Sequence, residues 1–170
     1  SAAGGAPAGG VSGREIVTVF GFDLGPEPGV AATFEAGRAP LSLGGTELRA
    51  NGQPCPLLFA GRHQINAIVP AGTGESERVV FEVRRAGRSS PPVDLQRFDA
   101  SPEAFRIGGN ALAALNQDGS ANSADRPAAA GSIVALFATG AGAMTPPIRA
   151  GEIAGGDGRI DGPVRVLVGF

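Results

Sequence analysis

Apolar and polar residues alternate in short runs along this chain, and Gly, Pro or Asn closes most of them. Glu15-Ile-Val-Thr-Val-Phe-Gly-Phe-Asp-Leu24 is rich in β-branched and aromatic residues and stops at Gly25-Pro26, which predicts a strand ended by turn chemistry. Thr46–Ala50 runs into Asn51-Gly52 and is answered by Pro56–Ala60, the pattern of a hairpin. Gln64–Val69, Glu77–Arg84 and Pro92–Phe98 read as further strands, each with a wet face. About seven strands, with turn signals every 8–12 residues, predict an antiparallel sandwich. Helical periodicity is nearly absent, and the best helical segment, Asn110–Leu115, is short and meets an Asn-Gln-Asp-Gly turn.

The second part of the chain repeats the first. Ile16-Val-Thr-Val-Phe-Gly-Phe-Asp-Leu-Gly25 aligns without gaps to Ile133-Val-Ala-Leu-Phe-Ala-Thr-Gly-Ala-Gly142. Two copies of one module are therefore expected: an arm over 1–12, one sandwich over 13–98 and a second over 99–170, with the boundary near Asp99–Pro102. The arm is small and uncharged, and resembles Asn122–Gly131 in carrying Pro among small residues. Pro163–Val168 is the expected equivalent of Thr46–Ala50, and the chain then reaches Phe170. The second sandwich is accordingly expected to lack its C-terminal strands, either because the sequence is cut short or because another chain supplies them. A half sandwich exposes apolar surface and unpaired edges.

Composition sharpens this reading. With 28 Gly and 14 Pro, about a quarter of the 170 residues belong to turn formers, at the margin of low complexity. Hydrophobic residues at 42% and charged ones at 18% still suffice for a core, so the turn formers fall between strands. One His and one Cys rule out a His/Cys zinc cage and an internal disulfide. Cys55, between Pro54 and Pro56, reads as a small buried hydrophobe, with intermolecular pairing as the alternative. A net charge of −2 gives no electrostatic footprint for nucleic acid, and the basic residues are all Arg. The longest apolar run, Ile133–Ala138, falls far short of the roughly 20 residues of a membrane span.

Few residues suggest chemistry. His63 lacks a nucleophile and an orienting carboxylate in any recognisable pattern, no Gly-x-Ser-x-Gly elbow occurs, and His63 reads as a turn residue. Gln64 and Asn66 alternate with Ile65 and read as amides that tie down a neighbouring loop, or as ligand readers. Asn116, Asp118, Ser120 and Asn122 place oxygens at every second position around Gly119, as calcium loops do. A terminal bidentate Glu is missing and Asp-Gly is equally a turn signal, so a calcium loop and a structural turn both stay open. Arg84, Arg85 and Arg88 read as a solvated hairpin end. Gly140-Ala-Gly142 is no phosphate cradle, because neither Lys-Ser/Thr nor a helix follows. No Asn-x-Ser/Thr sequon occurs, which leaves Ser and Thr as possible carriers of surface glycans.

Gly13–Pro26 resembles the opening of the IPT/TIG immunoglobulin-like domains. Gln64-Ile-Asn-Ala-Ile-Val-Pro70, Asn116–Ser123, Pro127-Ala128 and Gly131–Gly142 resemble the uncharacterised Solibacter-type C-terminal domain of secreted bacterial proteins, over nearly the whole chain. That family usually continues with a second Gln-x-Asn-x-x-x-Pro strand, which this sequence lacks, and it has no assigned catalytic residues. The resemblance implies an exported, immunoglobulin-like, non-enzymatic module without a cofactor.

The expected function is an extracellular structural subunit, secreted or on the cell surface, that polymerises head to tail with copies of itself by β-strand complementation. The expected assembly residues are Val11 in the arm, then Ile133, Val134, Leu136, Val164, Val166 and Val168. An adhesive or ligand-binding C-terminal module of a larger secreted protein is the alternative; the lack of Trp and Tyr weighs against a sugar-stacking version.

Overall fold

The computed structural model describes residues 10–72, 76–107 and 111–167. Among them the chain is all-β, without a helix. The strands of the first part are β1 (Gly10–Ser12), β2 (Ile16–Phe20), β3 (Val30–Ala31), β4 (Thr46–Ala50), β5 (Gln53–Pro54), β6 (Leu57–Ala60), β7 (Gln64–Ile68), β8 (Arg78–Arg85), β9 (Arg88–Ser89) and β10 (Val93–Phe98). Six strands form one sheet in the order β1-β10-β8-β4-β5, with β9 paired to β8. A second sheet runs β2-β7-β6-β3. All pairings are antiparallel except β1 on β10.

Period-2 burial explains how the sheets meet. Thr46, Leu48 and Ala50 of β4 turn inward, as do Val79, Phe81 and Val83 of β8 and Ile65 and Ala67 of β7. Their inner faces share one apolar cluster that also takes in Val11, Val17, Cys55, Leu57 and Val69. This arrangement is consistent with a β-sandwich.

The hairpin at Asn51-Gly52 forms, with φ of 47° and 78° at its two central residues, as an Asn-Gly turn requires. Its partner differs from the expected one. β4 returns through the short β5, and Pro56–Ala60 contributes β6 to the other sheet. Cys55 still donates its N–H to Leu48, and Pro56, with no N–H to give, ends the ladder so that the chain crosses over.

Beyond residue 98 the described chain carries β11 (Glu103–Ala104), β12 (Ala114–Leu115), β13 (Ala135–Leu136), β14 (Ala138–Thr139), β15 (Met144–Thr145) and β16 (Arg159–Ile160). They pair as β11·β14, β12·β13 and β15·β16, three sheets of two strands. The span expected to form a second sandwich shows only these small sheets, and among its described residues Ala114 is the buried apolar side chain. The segment is rich in Ala, whose methyl groups cannot fill the space between two sheets. One expectation is corrected here: residues 163–167 of the expected strand Pro163–Val168 form no strand. Of the short segment Asn110–Leu115, Asn110 lies outside the described residues and Ala114–Leu115 form β12.

Candidate assembly surface

The internal repeat has a conformational counterpart. Glu15 donates its N–H to the Ser12 carbonyl with Arg14 at φ 64°, and Ser132 donates to Ala129 with Gly131 at φ 81°. These residues occupy the same places in the ungapped alignment, and so do Asp23 (φ 54°) and Gly140 (φ 73°). The same left-handed turn therefore precedes β2 and its counterpart Ile133–Phe137, and a second left-handed residue follows each.

The two copies differ in what lies along one edge. β2 is the outermost strand of its sheet. Glu15 accepts from Val69 and Gly21 donates to His63, so by alternation the odd-numbered residues of β2 bond to β7. Ile16, Thr18 and Phe20 point their N–H and C=O groups the other way. Ile16 N–H is taken by the Thr139 hydroxyl at 2.7 Å, whereas the outward backbone groups of Thr18 and Phe20 meet no partner among the described residues. In the second copy that edge is covered. Phe137, aligned with Phe20, donates to the Ala113 carbonyl at 3.1 Å and accepts from Phe105 at 2.9 Å, and Ala135, aligned with Thr18, pairs with Leu115.

The expected assembly residues fall into two groups. Val11 is 1% exposed, in β1 against β10, inside the core of its own chain, so β1 lies within the span read as a detachable arm. Residues 1–9 lie outside the described residues, as does Val168. Ile133 (71% exposed), Val134 and Leu136 are open to solvent, and so are Val164 (64%) and Val166. Phe20 (72%), Phe22 (86%), Ile153 and Leu167 are also exposed and were not singled out by the sequence pattern. Continued alternation past Val17 and Val19 was the available signal: it puts Phe20 and Phe22 on the face opposite the core.

A polar junction joins the halves. Ser12 donates its N–H to the Glu15 carboxylate at 2.8 Å, and its hydroxyl lies 3.2 Å from the same oxygen and 3.3 Å from the Gly140 carbonyl. Glu15 is fully buried, and burial pushes its carboxyl above the ordinary value; the Ser12 hydrogen bonds offset part of this and nearby Glu103 adds to it. Glu15 Oε1 and Glu103 Oε2 are buried without hydrogen-bond partners. Arg14 reaches the Ile148 carbonyl at 2.8 Å.

The remaining candidates are engaged locally. Asp118 Oδ1 accepts from the Ser120 N–H at 2.9 Å and hydroxyl at 2.6 Å, Asn122 donates to Asn116 Oδ1 at 2.7 Å, and Asn116 donates to Ser120 and to the Arg126 carbonyl. The oxygens read as calcium ligands thus close a turn on one another. No group of three or more His, Cys, Asp or Glu stands together for a metal among the described residues. Gln64 donates to Asn66 Oδ1, which also accepts from the Thr18 hydroxyl across the strand pair. His63 Nδ1 lies 3.1 Å from the Gly21 carbonyl, and its ring meets Phe22 edge-on at 5.6 Å. Arg84 and Ser89 hold Glu82, which lowers its carboxyl. Cys55 is free and buried, its thiol pushed up to about 12. No helix of the described residues is long and apolar enough to cross a membrane. Comparison of the chain with family models, curated proteins and solved structures gives no match.

Proposed function

We propose that this chain is a non-enzymatic extracellular structural subunit that joins head to tail with copies of itself, by β-strand complementation, into a filament. The observation that carries the reading is the contrast between its halves. One closes over a packed core, while the other has only two-stranded sheets and leaves Leu136 of β13, and Ile133, Val134, Phe137, Val164 and Val166 outside any strand, in solvent. Two-stranded ribbons with an uncovered apolar side are marginal alone and gain most from a partner. A contact between unlike surfaces of successive copies does not close on itself, and so extends. The IPT/TIG-like resemblance supports the immunoglobulin-type module and the exported setting.

Sedimentation velocity and negative-stain imaging of the purified protein test this directly. Long polymers that grow with concentration are expected. A monodisperse particle of 16.9 kDa at every concentration overturns the reading and favours an adhesive or ligand-binding module.

A further inference from the structure

We propose that the open edge of β2 is the acceptor at which the next copy adds a strand, and that residues 164–167 of that copy are the donor. The inference rests on the self-assembly reading above and says where the strands meet. Four observations carry it. Thr18 and Phe20 present two N–H and two C=O groups outward without partners among the described residues. A strand of this composition, Ile-Val-Thr-Val-Phe, has none of the charges or prolines that usually keep an exposed edge from pairing.

The chain itself also displays how such an edge is completed. In the repeat the aligned edge carries an antiparallel strand, with Ala113 opposite Phe137 and Leu115 opposite Ala135. The same geometry on β2 calls for an antiparallel strand whose alternate residues face Phe20 and Thr18. Its lower end is already closed by the Thr139 hydroxyl on Ile16, which limits the free stretch to Thr18–Phe20.

Finally, residues 163–167 have the alternation of a strand and no strand to belong to. Val164, Val166 and Leu167 are exposed, and none of the backbone groups from 163 to 167 makes a hydrogen bond within the described chain. Set antiparallel on β2, Val164 faces Phe20 and Val166 faces Thr18, which covers the exposed Phe20 ring with a β-branched neighbour. Four main-chain hydrogen bonds form, with side chains setting the register.

Cysteine pairing tests the contact, since Cys55 is buried and does not compete. Chains carrying Phe20→Cys and chains carrying Val164→Cys, mixed and oxidised, should give a mixed disulfide dimer that neither gives alone. The double variant should give a covalent ladder on a denaturing gel. Absence of both products, or a disulfide confined to one chain, overturns the proposal. Thr18→Pro removes one outward N–H and no main-chain bond to β7, but also the hydroxyl that donates to Asn66, and Phe20→Lys puts a charge on the edge at an exposed position. Each should abolish polymers, and Phe20→Lys should leave the melting curve of the monomer unchanged, which keeps the test decisive if Thr18→Pro weakens the fold or fails to fold. Polymers of normal length from Phe20→Lys chains sink the β2 acceptor and spare self-assembly, whereas a wild-type chain that stays monomeric sinks both.

Discussion

Ile16 donates its backbone N–H to the Thr139 hydroxyl at 2.7 Å, tying the first residue of β2 to a strand 123 residues further on. The bond belongs to a small polar seam. Ser12 reaches the Gly140 carbonyl, which also accepts from the Ser101 N–H at 2.8 Å, and Arg14 reaches Ile148. Hydrogen bonds and two buried carboxylate oxygens, with little apolar surface, thus position the second half against the first. Such a seam depends on exact placement, because each buried polar group that loses its partner costs about 1–3 kcal/mol.

Gly140 is the residue the seam can least afford to change. Its φ of 73° is left-handed, and a Cβ there would run into the Ser101 carbonyl and crowd Glu15 Oε2 at 3.3 Å. Gly140→Ala is expected to destabilise by more than the roughly 1–2 kcal/mol of backbone strain alone. Gly119→Ala, at φ 81° with open space around it, isolates the strain. Chemical denaturation of both variants gives the comparison, and equal losses would mean that the contact with Ser101 is not a constraint.

Glu15 gives the seam a pH dependence. Its folded pKa lies above the ordinary 4.5, so the folded state holds the proton more tightly than the unfolded chain. The sign follows: stability contributed by Glu15 is present below about that ordinary value and is lost as pH rises through the folded pKa. Other carboxylates shift the opposite way, among them Glu82 and Asp118, so the wild-type curve alone mixes the effects. The difference between wild type and Glu15→Gln isolates it. Wild type should lose melting temperature relative to the variant as pH is raised from 4 toward neutrality, and a difference that stays flat would mean that the Glu15 carboxyl holds its proton no more tightly in the folded state than in the unfolded chain.

Most of the first part was legible in the sequence. Thr46–Ala50 forms as read, and Gln64, Arg78 and Val93 start strands within a residue of expectation, because period-2 alternation there coincides with real burial. Asn51-Gly52 announced its turn through the positive φ it alone tolerates well, yet sequence could not show that Pro56 sends the chain to the opposite sheet. The repeat was visible at Ile16 and Ile133, but the strand it implied at Pro163 does not form, since alternation makes a strand only where a neighbouring backbone pairs with it. Phe20 and Phe22 went unnoticed for a related reason: an apolar residue reads as core until the burial of its neighbours fixes the phase. The Ser12–Glu15–Gly140 seam had no sequence signal, because its partners are small residues brought together from far apart.

The difference between the halves is open to direct measurement. Leu48 is fully buried in the apolar cluster, so Leu48→Ala is expected to cost about 2–5 kcal/mol in urea unfolding. Ile133→Ala removes as much apolar surface from an exposed site, and should stay within about 0.5 kcal/mol at concentrations where the chain is monomeric. A comparable loss at Ile133 would place that side chain in a folded core and remove the contrast on which assembly is argued.

Assembly should respond in the reverse order. Ile133 and Leu136 touch no core of their own chain, so Ile133→Asp and Leu136→Asp should leave the monomer melt in place. If neighbouring copies cover them, each loses burial of about 1.5–3 kcal/mol on association. At 1.4 kcal/mol per tenfold, that corresponds to a rise of roughly 10–100-fold per substitution in the concentration needed for polymers. Sedimentation over a concentration series reads this threshold, and Leu48→Ala serves as the control that weakens the fold without touching the exposed surface. An unchanged threshold in the Asp variants would mean that Ile133 and Leu136 face solvent within the polymer and that contact between copies lies elsewhere, at the β2 edge alone.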